Sequence, residues 1–172
     1  MRLAFNFFLI LISFVINFSF FELIKLNGVK PNLFLIIIIC ISVLRDDIES
    51  ALIGFFLGLT QDIFFYNKLG FFSFFYLITG YLANKPFKYF YRENYFVPML
   101  LVFLSSVFFE SLVFVFSFDF SLYKYFFYAL IKIILPEAFY NVILIFIIYP
   151  VIYFINKKLE TREIKIKQRD LF

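Results

Sequence analysis

The sequence contains no histidine and a single cysteine, Cys40. Without histidine the chain lacks the side chain that most often serves as a general base or a metal ligand near neutral pH. One cysteine cannot form a disulfide within the chain, and Cys40 lies in an apolar run, where we expect it to pack rather than react. We therefore expect no hydrolytic or metal-dependent chemistry, no cofactor and no enzyme activity.

Charged residues are also scarce. They make up 16% of the 172 residues, whereas apolar residues make up 64%. A soluble domain of this size needs a larger charged fraction to cover its surface. Apolar stretches close to the length of a membrane-spanning helix recur along the whole chain and leave no room for a separate soluble domain. The sequence therefore predicts an all-α membrane protein.

The apolar segments predict about six transmembrane helices. The second and fourth are shorter than the roughly 20 residues that cross a hydrocarbon core about 30 Å thick, so we expect thinning of the bilayer or burial among neighbouring helices. Only a turn separates the third and fourth segments, which leaves five helices as the alternative count. The predicted helices cover residues 3–23, 29–44, 48–66, 69–84, 96–118 and 133–155.

The basic residues predict the orientation of these helices, because positive charge favours the cytoplasmic side of a membrane. With the N-terminus in the cytoplasm, most of the lysines and arginines lie inside. Residues 1–155 then form one transmembrane domain, and residues 156–172 form a short basic cytoplasmic tail near anionic lipid headgroups, not a nucleic-acid-binding segment. The lysines predicted outside are Lys25, Lys30, Lys68, Lys124 and Lys132.

Gly54, Gly58 and Asp62 lie four residues apart on the third segment and therefore share one helix face. Glycines allow helix backbones to approach closely in lipid. A carboxylate at bilayer depth is costly, and its default interpretation is functional. Small and polar residues at helical spacing recur on the other segments, where an inward-facing stripe of a helix bundle explains the serines and glycines.

The acidic residues also fall at similar predicted depths. With a rise of about 1.5 Å per residue, Asp62, Glu110 and Glu137 lie in the outer half of the bilayer, as does Asn17. We therefore expect a polar pocket or groove there, with Lys68, Lys124 or Lys132 as partners of the carboxylates. The alternative is that the acids end their helices at the wet interface. Glu137 fits this alternative best, because it follows Pro136 in a first helical turn.

Several segments carry a family resemblance. Residues 52–62, LIGFFLGLTQD, are followed by Gly70 and by Gly-Tyr-Leu-Ala at 80–83. Residues 135–141, LPEAFYN, are followed by Tyr-Pro at 149–150, and Lys-Pro-Asn at 30–32 opens the second helix. In order, spacing and length, these segments resemble the rod shape-determining protein MreD family from about Lys30 to Tyr153. The residues carried over are Gly54, Gly58, Asp62, Gly70, Pro136, Glu137 and Asn141.

The resemblance implies a role in cell shape. MreD-like proteins are bacterial inner-membrane subunits of the cell-elongation machinery that associate with the membrane-anchored periplasmic protein MreC, beside the MreB cytoskeleton. They support peptidoglycan synthesis by a SEDS glycosyltransferase and a class B penicillin-binding protein. Their helix arrangement is similar to that of the substrate-binding component of energy-coupling-factor transporters. The candidate partner-binding or helix-packing residues are those carried over together with Glu110.

Two functions follow from these observations. The first is a membrane scaffold that binds MreC, in which a partner helix docks near the glycines and makes a polar contact with Asp62 or Glu137. The second is a vitamin-binding transporter subunit, in which the outer pocket holds a small molecule. Such subunits resemble one another in an Ala-x-x-x-Ala spacing on the first helix, whereas here Ala4 is followed by Phe8. The scaffold is therefore the favoured prediction.

Overall fold

The computed structural model describes residues 2–20, 25, 28–65, 70–83, 85, 95–117 and 124–169, and every regular element in these ranges is a helix. The predicted all-helical class is thus confirmed. Six helices follow one another: α1, Arg2–Val15, which runs into a π-helical turn at Ile16–Phe20; α2, Leu33–Leu44; α3, Asp47–Phe65; α4, Phe71–Leu82; α5, Phe96–Ser117; and α6, in which a π-helical turn at Leu130–Ile134 joins Phe126–Ala129 to Leu135–Arg169.

Helix α2 lies at the centre of the bundle. All of its residues are buried, and it packs against α3, α4, α5, α6 and the π-helical turn of α1. Its sequence, LFLIIIICISVL, is apolar around the whole circumference, and such a helix is stable only when other helices surround it. The side chain of Asn32 begins the helix by accepting a hydrogen bond from the backbone N–H of Leu35 at 3.1 Å.

Helices α3 and α4 touch backbone to backbone. A Cβ atom added to Gly58 would lie 2.5 Å from the backbone nitrogen of Ser73, and one added to Gly80 would lie 2.5 Å from the carbonyl oxygen of Ser50. The hydroxyl of Ser50 donates a hydrogen bond of 2.7 Å to the carbonyl oxygen of Gly80. The glycines therefore permit a separation that no larger residue allows. Gly54 lies on the same contact, against the carbonyl of Tyr76.

Large apolar side chains cover the outside of the bundle, including Phe7, Phe108 and Phe146, each more than half exposed. Within the described residues, two helices are long and apolar enough to cross a membrane by length and composition, Phe96–Phe116 and Phe126–Lys165. Helices α2 and α4 have 12 residues each, a length of about 18 Å at the helical rise of about 1.5 Å per residue. These two helices are therefore shorter than a hydrocarbon core about 30 Å thick.

The predicted boundaries were wrong for two helices. Helix α2 begins at Leu33 instead of residue 29, because Pro31 disfavours the helical conformation of the residue before it. Helix α6 runs from Phe126 to Arg169 instead of 133–155. The segment from Asn156 to Arg169 lacks glycine and proline and is rich in Lys, Glu and Arg. These residues favour helix, so the predicted tail extends α6 through Arg169.

Polar side chains gather at both ends of the bundle. At the Arg45 end, the side chain of Arg45 contacts Asn6 near the start of α1 and Asn156 in the second half of α6. At the Asn32 end, the start of α2 meets Tyr76 of α4 and Asn141 of α6. The first turns of α1 and the part of α6 around Asn156 therefore lie at the same end, and α6 continues beyond it to Arg169.

Candidate functional site

A chain of hydrogen bonds joins five helices at the Asn32 end. The backbone N–H of Asn32 donates to the side-chain oxygen of Asn141 at 2.8 Å, and the Asn141 amide donates to the hydroxyl of Ser106 at 2.9 Å. The Asn32 amide donates to the hydroxyl of Tyr76 at 2.9 Å, and Tyr76 donates to Gln61 at 2.9 Å. In these contacts the polar side chains of Asn32, Tyr76 and Asn141 find hydrogen-bond partners on neighbouring helices.

Two acids complete this arrangement. The side chains of Glu110 and Glu137 lie next to each other, and Glu110 also lies next to the side chain of Asn32. Lys30 lies close enough to Glu137 to attract it. We refer to this set of residues as the Asn32 network: Lys30, Asn32, Gln61, Tyr76, Ser106, Glu110, Glu137 and Asn141.

Asp62 has a separate set of partners at the start of α4. Its carboxylate accepts hydrogen bonds from the backbone N–H groups of Gly70, Phe72 and Ser73 at 2.9–3.0 Å, and from the hydroxyl of Ser73. The first N–H groups of a helix have no partner within the helix, and the helix dipole favours an anion there. Gly70 has a φ of +99°, a conformation that favours glycine. Asp62 is therefore a buried helix cap.

The structure brings together only some of the polar residues predicted to share an outer pocket. Glu110 and Glu137 meet, whereas Asp62 is held by α4. The buried side-chain oxygen of Asn17, in the π-helical turn of α1, has no hydrogen-bond partner in the part of the chain that the structure describes. Of the lysines expected as partners, Lys124 and Lys132 are exposed and Lys68 lies outside the described residues. The cation close to Glu137 is Lys30.

Sequence reasoning missed half of the Asn32 network. Asn32 carried a usable signal, because an asparagine directly before an apolar helical run is a typical N-cap. Tyr76 and Gln61 had no such signal, since each is an ordinary residue of its helix face. Ser106 was expected to face inward, because it shares a polar stripe of the fifth segment with Glu110. Their roles follow from the packing of α3, α4 and α5 around α2.

Arg45, one of the basic residues expected on the cytoplasmic side, also has a structural role. Its side chain is buried and forms a salt bridge with Glu49. Its Nε donates to Asn156 at 2.7 Å, its Nη1 donates to Asn6 at 2.7 Å, and its guanidinium carbon lies 5.4 Å from the centre of the Phe5 ring. A buried charge is stable only with such partners. Asn6, Arg45, Glu49 and Asn156, the Arg45 cluster, thus hold α1, α2, α3 and α6 together.

Two concave surfaces lie on the outside of the bundle. A hollow of about 630 Å³ at the Asn32 end, here the Pro136 hollow, combines apolar and polar side chains. A groove of about 770 Å³ between α1, α2 and α6, here the α1–α6 groove, is almost wholly apolar. The Pro136 hollow is lined by Val29, Tyr128, Ile131, Lys132, Ile133, Pro136 and Tyr140.

A comparison with known families shows the family to which this chain belongs. The family model for the rod shape-determining protein MreD matches residues 1–159. The chain belongs to the MreD family. It is therefore a membrane protein with a role in the determination of rod shape. No curated protein and no solved structure matches the chain.

The MreD match includes all the residues that the sequence resemblance carried over, and it extends that resemblance across α1. In the structure these residues fall into three places. Gly54 and Gly58 lie at the α3–α4 contact, and Asp62 and Gly70 lie at the start of α4. Pro136, Glu137 and Asn141 lie on one stretch of α6 at the Asn32 end.

Proposed function

We propose that this protein is a non-enzymatic scaffold of the bacterial cell-elongation complex, which binds MreC and supports peptidoglycan synthesis. The observation that carries the proposal is the family match over residues 1–159. The Asn32 network and the Arg45 cluster support it, because their polar groups hold helices together instead of lining an open reaction site. Links to MreB, the SEDS glycosyltransferase and the class B penicillin-binding protein are indirect in this proposal.

We propose six membrane spans with both chain ends in the cytoplasm, in an arrangement similar to that of the energy-coupling-factor substrate-binding component. The Arg45 end then faces the cytoplasm and the Asn32 end faces outward. Two features support this orientation. The start of α1 and the part of α6 around Asn156 meet at the Arg45 end, and exposed basic residues such as Lys157, Lys158 and Arg162 follow there.

The Pro136 hollow is the proposed contact surface for MreC. A membrane-anchored periplasmic partner reaches the outward end of the bundle, where this hollow lies. Tyr128 and Ile131 are 65% and 61% exposed, and tyrosine is enriched among the residues that dominate binding at protein interfaces. Pro136 lies next to Glu137 in α6, so the Asn32 network helps to hold the residues that line the hollow in position. By contrast, Asp62 and Gly58 make their contacts inside the bundle, with the first residues of α4.

The test replaces Ile131 and Ile133 with alanine and measures the amount of MreC that co-purifies from membranes. Loss of two apolar contacts in an interface is expected to weaken binding by about fivefold or more, since interface hot spots cost at least about 1–2 kcal/mol. The matched control is the double change Ile143→Ala and Ile147→Ala. These residues lie on the same helix and are 62% exposed each, outside the hollow.

Equal recovery of MreC with both double variants would show that the hollow is not the contact surface. If no MreC co-purifies even with the unaltered protein, the scaffold function itself is overturned. A vitamin detected in stoichiometric amount by mass spectrometry of the purified protein would favour the transporter function.

A further inference from the structure

The α1–α6 groove has walls that offer no hydrogen bond. Its walls carry apolar side chains from α1, including Phe5 and Ile12, and from α6, including Ile148 and Ile155, and Leu33 and Ile37 of α2 form its floor. The one hydroxyl in the lining, that of Ser13, donates to the carbonyl oxygen of Leu9 within its own helix. The occupant of the groove must therefore be apolar.

The length of the groove matches one leaflet of a bilayer. Its walls extend from Phe5 to Ile16 on α1 and from Leu144 to Ile155 on α6. At a rise of about 1.5 Å per residue, each wall is about 16 Å long. This is about half of a hydrocarbon core some 30 Å thick. Leu33 at the start of α2 also lines the groove, which therefore runs from the Arg45 end to the level of Leu33. An acyl chain that enters at the Arg45 end fits this length.

One end of the groove meets the Arg45 cluster. Phe5 lines the groove and also lies against the guanidinium of Arg45. The Nη2 of Arg45 is buried and has no hydrogen-bond partner among the residues that the structure describes. Because Nε and Nη2 of a guanidinium present their hydrogens on the same side, Nη2 faces α6, as Nε does through its bond to Asn156.

Helix α6 continues this charged end beyond the groove. Residues three, four and seven positions apart share one face of a helix. Lys158 and Arg162, three and seven residues after Ile155, therefore lie on the face that forms the groove wall, and both are exposed. An apolar groove one leaflet long thus ends at two exposed cations and one buried, incompletely paired guanidinium.

We propose that the α1–α6 groove binds one anionic phospholipid from the leaflet at the Arg45 end. An acyl chain fills the groove, and Lys158 and Arg162 bind the phosphate of the headgroup. This site is independent of the Pro136 hollow, at the opposite end of the bundle.

Native mass spectrometry of the purified, delipidated protein tests the proposal with phosphatidylglycerol and with phosphatidylcholine of the same acyl chains. We expect one phosphatidylglycerol per protein, bound more tightly than phosphatidylcholine. Ile12→Trp fills the groove and abolishes this binding. Its control is Leu11→Trp, because Leu11 is the neighbouring residue, 46% exposed against 42% for Ile12, and lies outside the groove.

The headgroup contact is tested by Lys158→Ala, with Lys157→Ala as the control of equal charge. A basic residue near an anionic lipid contributes about 1 kcal/mol, so Lys158→Ala is expected to weaken phosphatidylglycerol binding about fivefold and leave phosphatidylcholine unchanged. Arg45 is not varied, because it holds four helices together.

Several results would overturn the proposal: equal binding of the two lipids, retention of phosphatidylglycerol by Ile12→Trp, or an equal effect of Lys157→Ala and Lys158→Ala. Crosslinking from position 12 to a protein segment instead of lipid would identify a partner helix as the occupant. If Ile12→Trp does not elute as a single folded species, the pair Ile148→Trp and Ile147→Trp makes the same comparison on α6. Association with MreC has no part in these measurements.

Discussion

At the scale of single residues, Asp62 illustrates how a buried charge is stabilised in this bundle. Its carboxylate accepts hydrogen bonds from three backbone N–H groups at the start of α4 and from the hydroxyl of Ser73. Burial of a charge without such partners is strongly unfavourable. The free-energy cost of burying the Asp62 carboxylate is therefore offset within the chain. No external partner is needed to explain the presence of this acid in an apolar segment.

Asp62→Asn is expected to lower the free energy of unfolding. The substitution places an NH₂ group where one carboxylate oxygen accepts hydrogen bonds, and a buried donor left unpaired costs about 1–3 kcal/mol. Reversible unfolding in mixed micelles measures the change. Asp46→Asn, which removes the same charge at an exposed position, is expected to have little effect. Equal stability of both variants would show that the cap does not contribute.

At the scale of helices, the α3–α4 pair depends on glycine. The backbone atoms of Ser73 and Phe72 occupy the space that a side chain of residue 58 would need. Backbone atoms cannot move aside without a shift of the whole helix, unlike the end of a flexible side chain. The spacing of Gly54 and Gly58 therefore stabilises the fold of this chain itself.

Gly58→Ala is expected to destabilise the protein by about 1–3 kcal/mol, the usual cost of overpacking a well-packed contact. Thermal unfolding in detergent measures the change. Gly70→Asn is the comparison, because nothing lies within 4 Å of a Cβ added to Gly70, and asparagine tolerates a positive φ better than most residues. A larger loss of stability with Gly70→Asn than with Gly58→Ala would contradict the proposed backbone contact.

At the scale of the whole molecule, five helices surround α2, and polar contacts connect them at both ends. The Arg45 cluster joins α1, α2, α3 and α6. The Asn32 network joins all five helices from α2 through α6. Apolar packing alone provides little direction in lipid, whereas hydrogen bonds between helices specify particular neighbours. The two polar ends therefore determine which helices meet.

The proposed orientation predicts the accessibility of engineered cysteines. Lys132→Cys lies at the Asn32 end and Lys158→Cys at the Arg45 end, and both positions are exposed. A membrane-impermeant maleimide is expected to label position 132 in spheroplasts, and position 158 only after the membrane is opened. The native Cys40 is fully buried and is expected to give little background. Labelling of position 158 in intact spheroplasts would exclude cytoplasmic chain ends.

Much of the fold could be predicted from hydrophobicity. The run from Leu33 to Leu44 is apolar on every side, and the structure buries all of it. The predicted start of α5 at residue 96 is confirmed. The ends of α6 could not be predicted in this way, because the sequence from Asn156 onward changes from apolar to charged residues without any helix-breaking residue. Hydropathy marks where a helix leaves an apolar environment, and helix propensity determines where it ends.

The sequence by itself determined that this protein is helical and apolar on its outside, and that its motifs are those of the MreD family, because hydrophobic pattern and residue spacing are properties of the chain alone. Only the tertiary structure decided which polar groups meet. Glu110 lies 27 positions before Glu137 in the chain, and Arg45 meets an asparagine 111 positions away. Such pairs depend on how helices pack around α2, and a helix's own sequence does not record the neighbour that will satisfy its polar side chain.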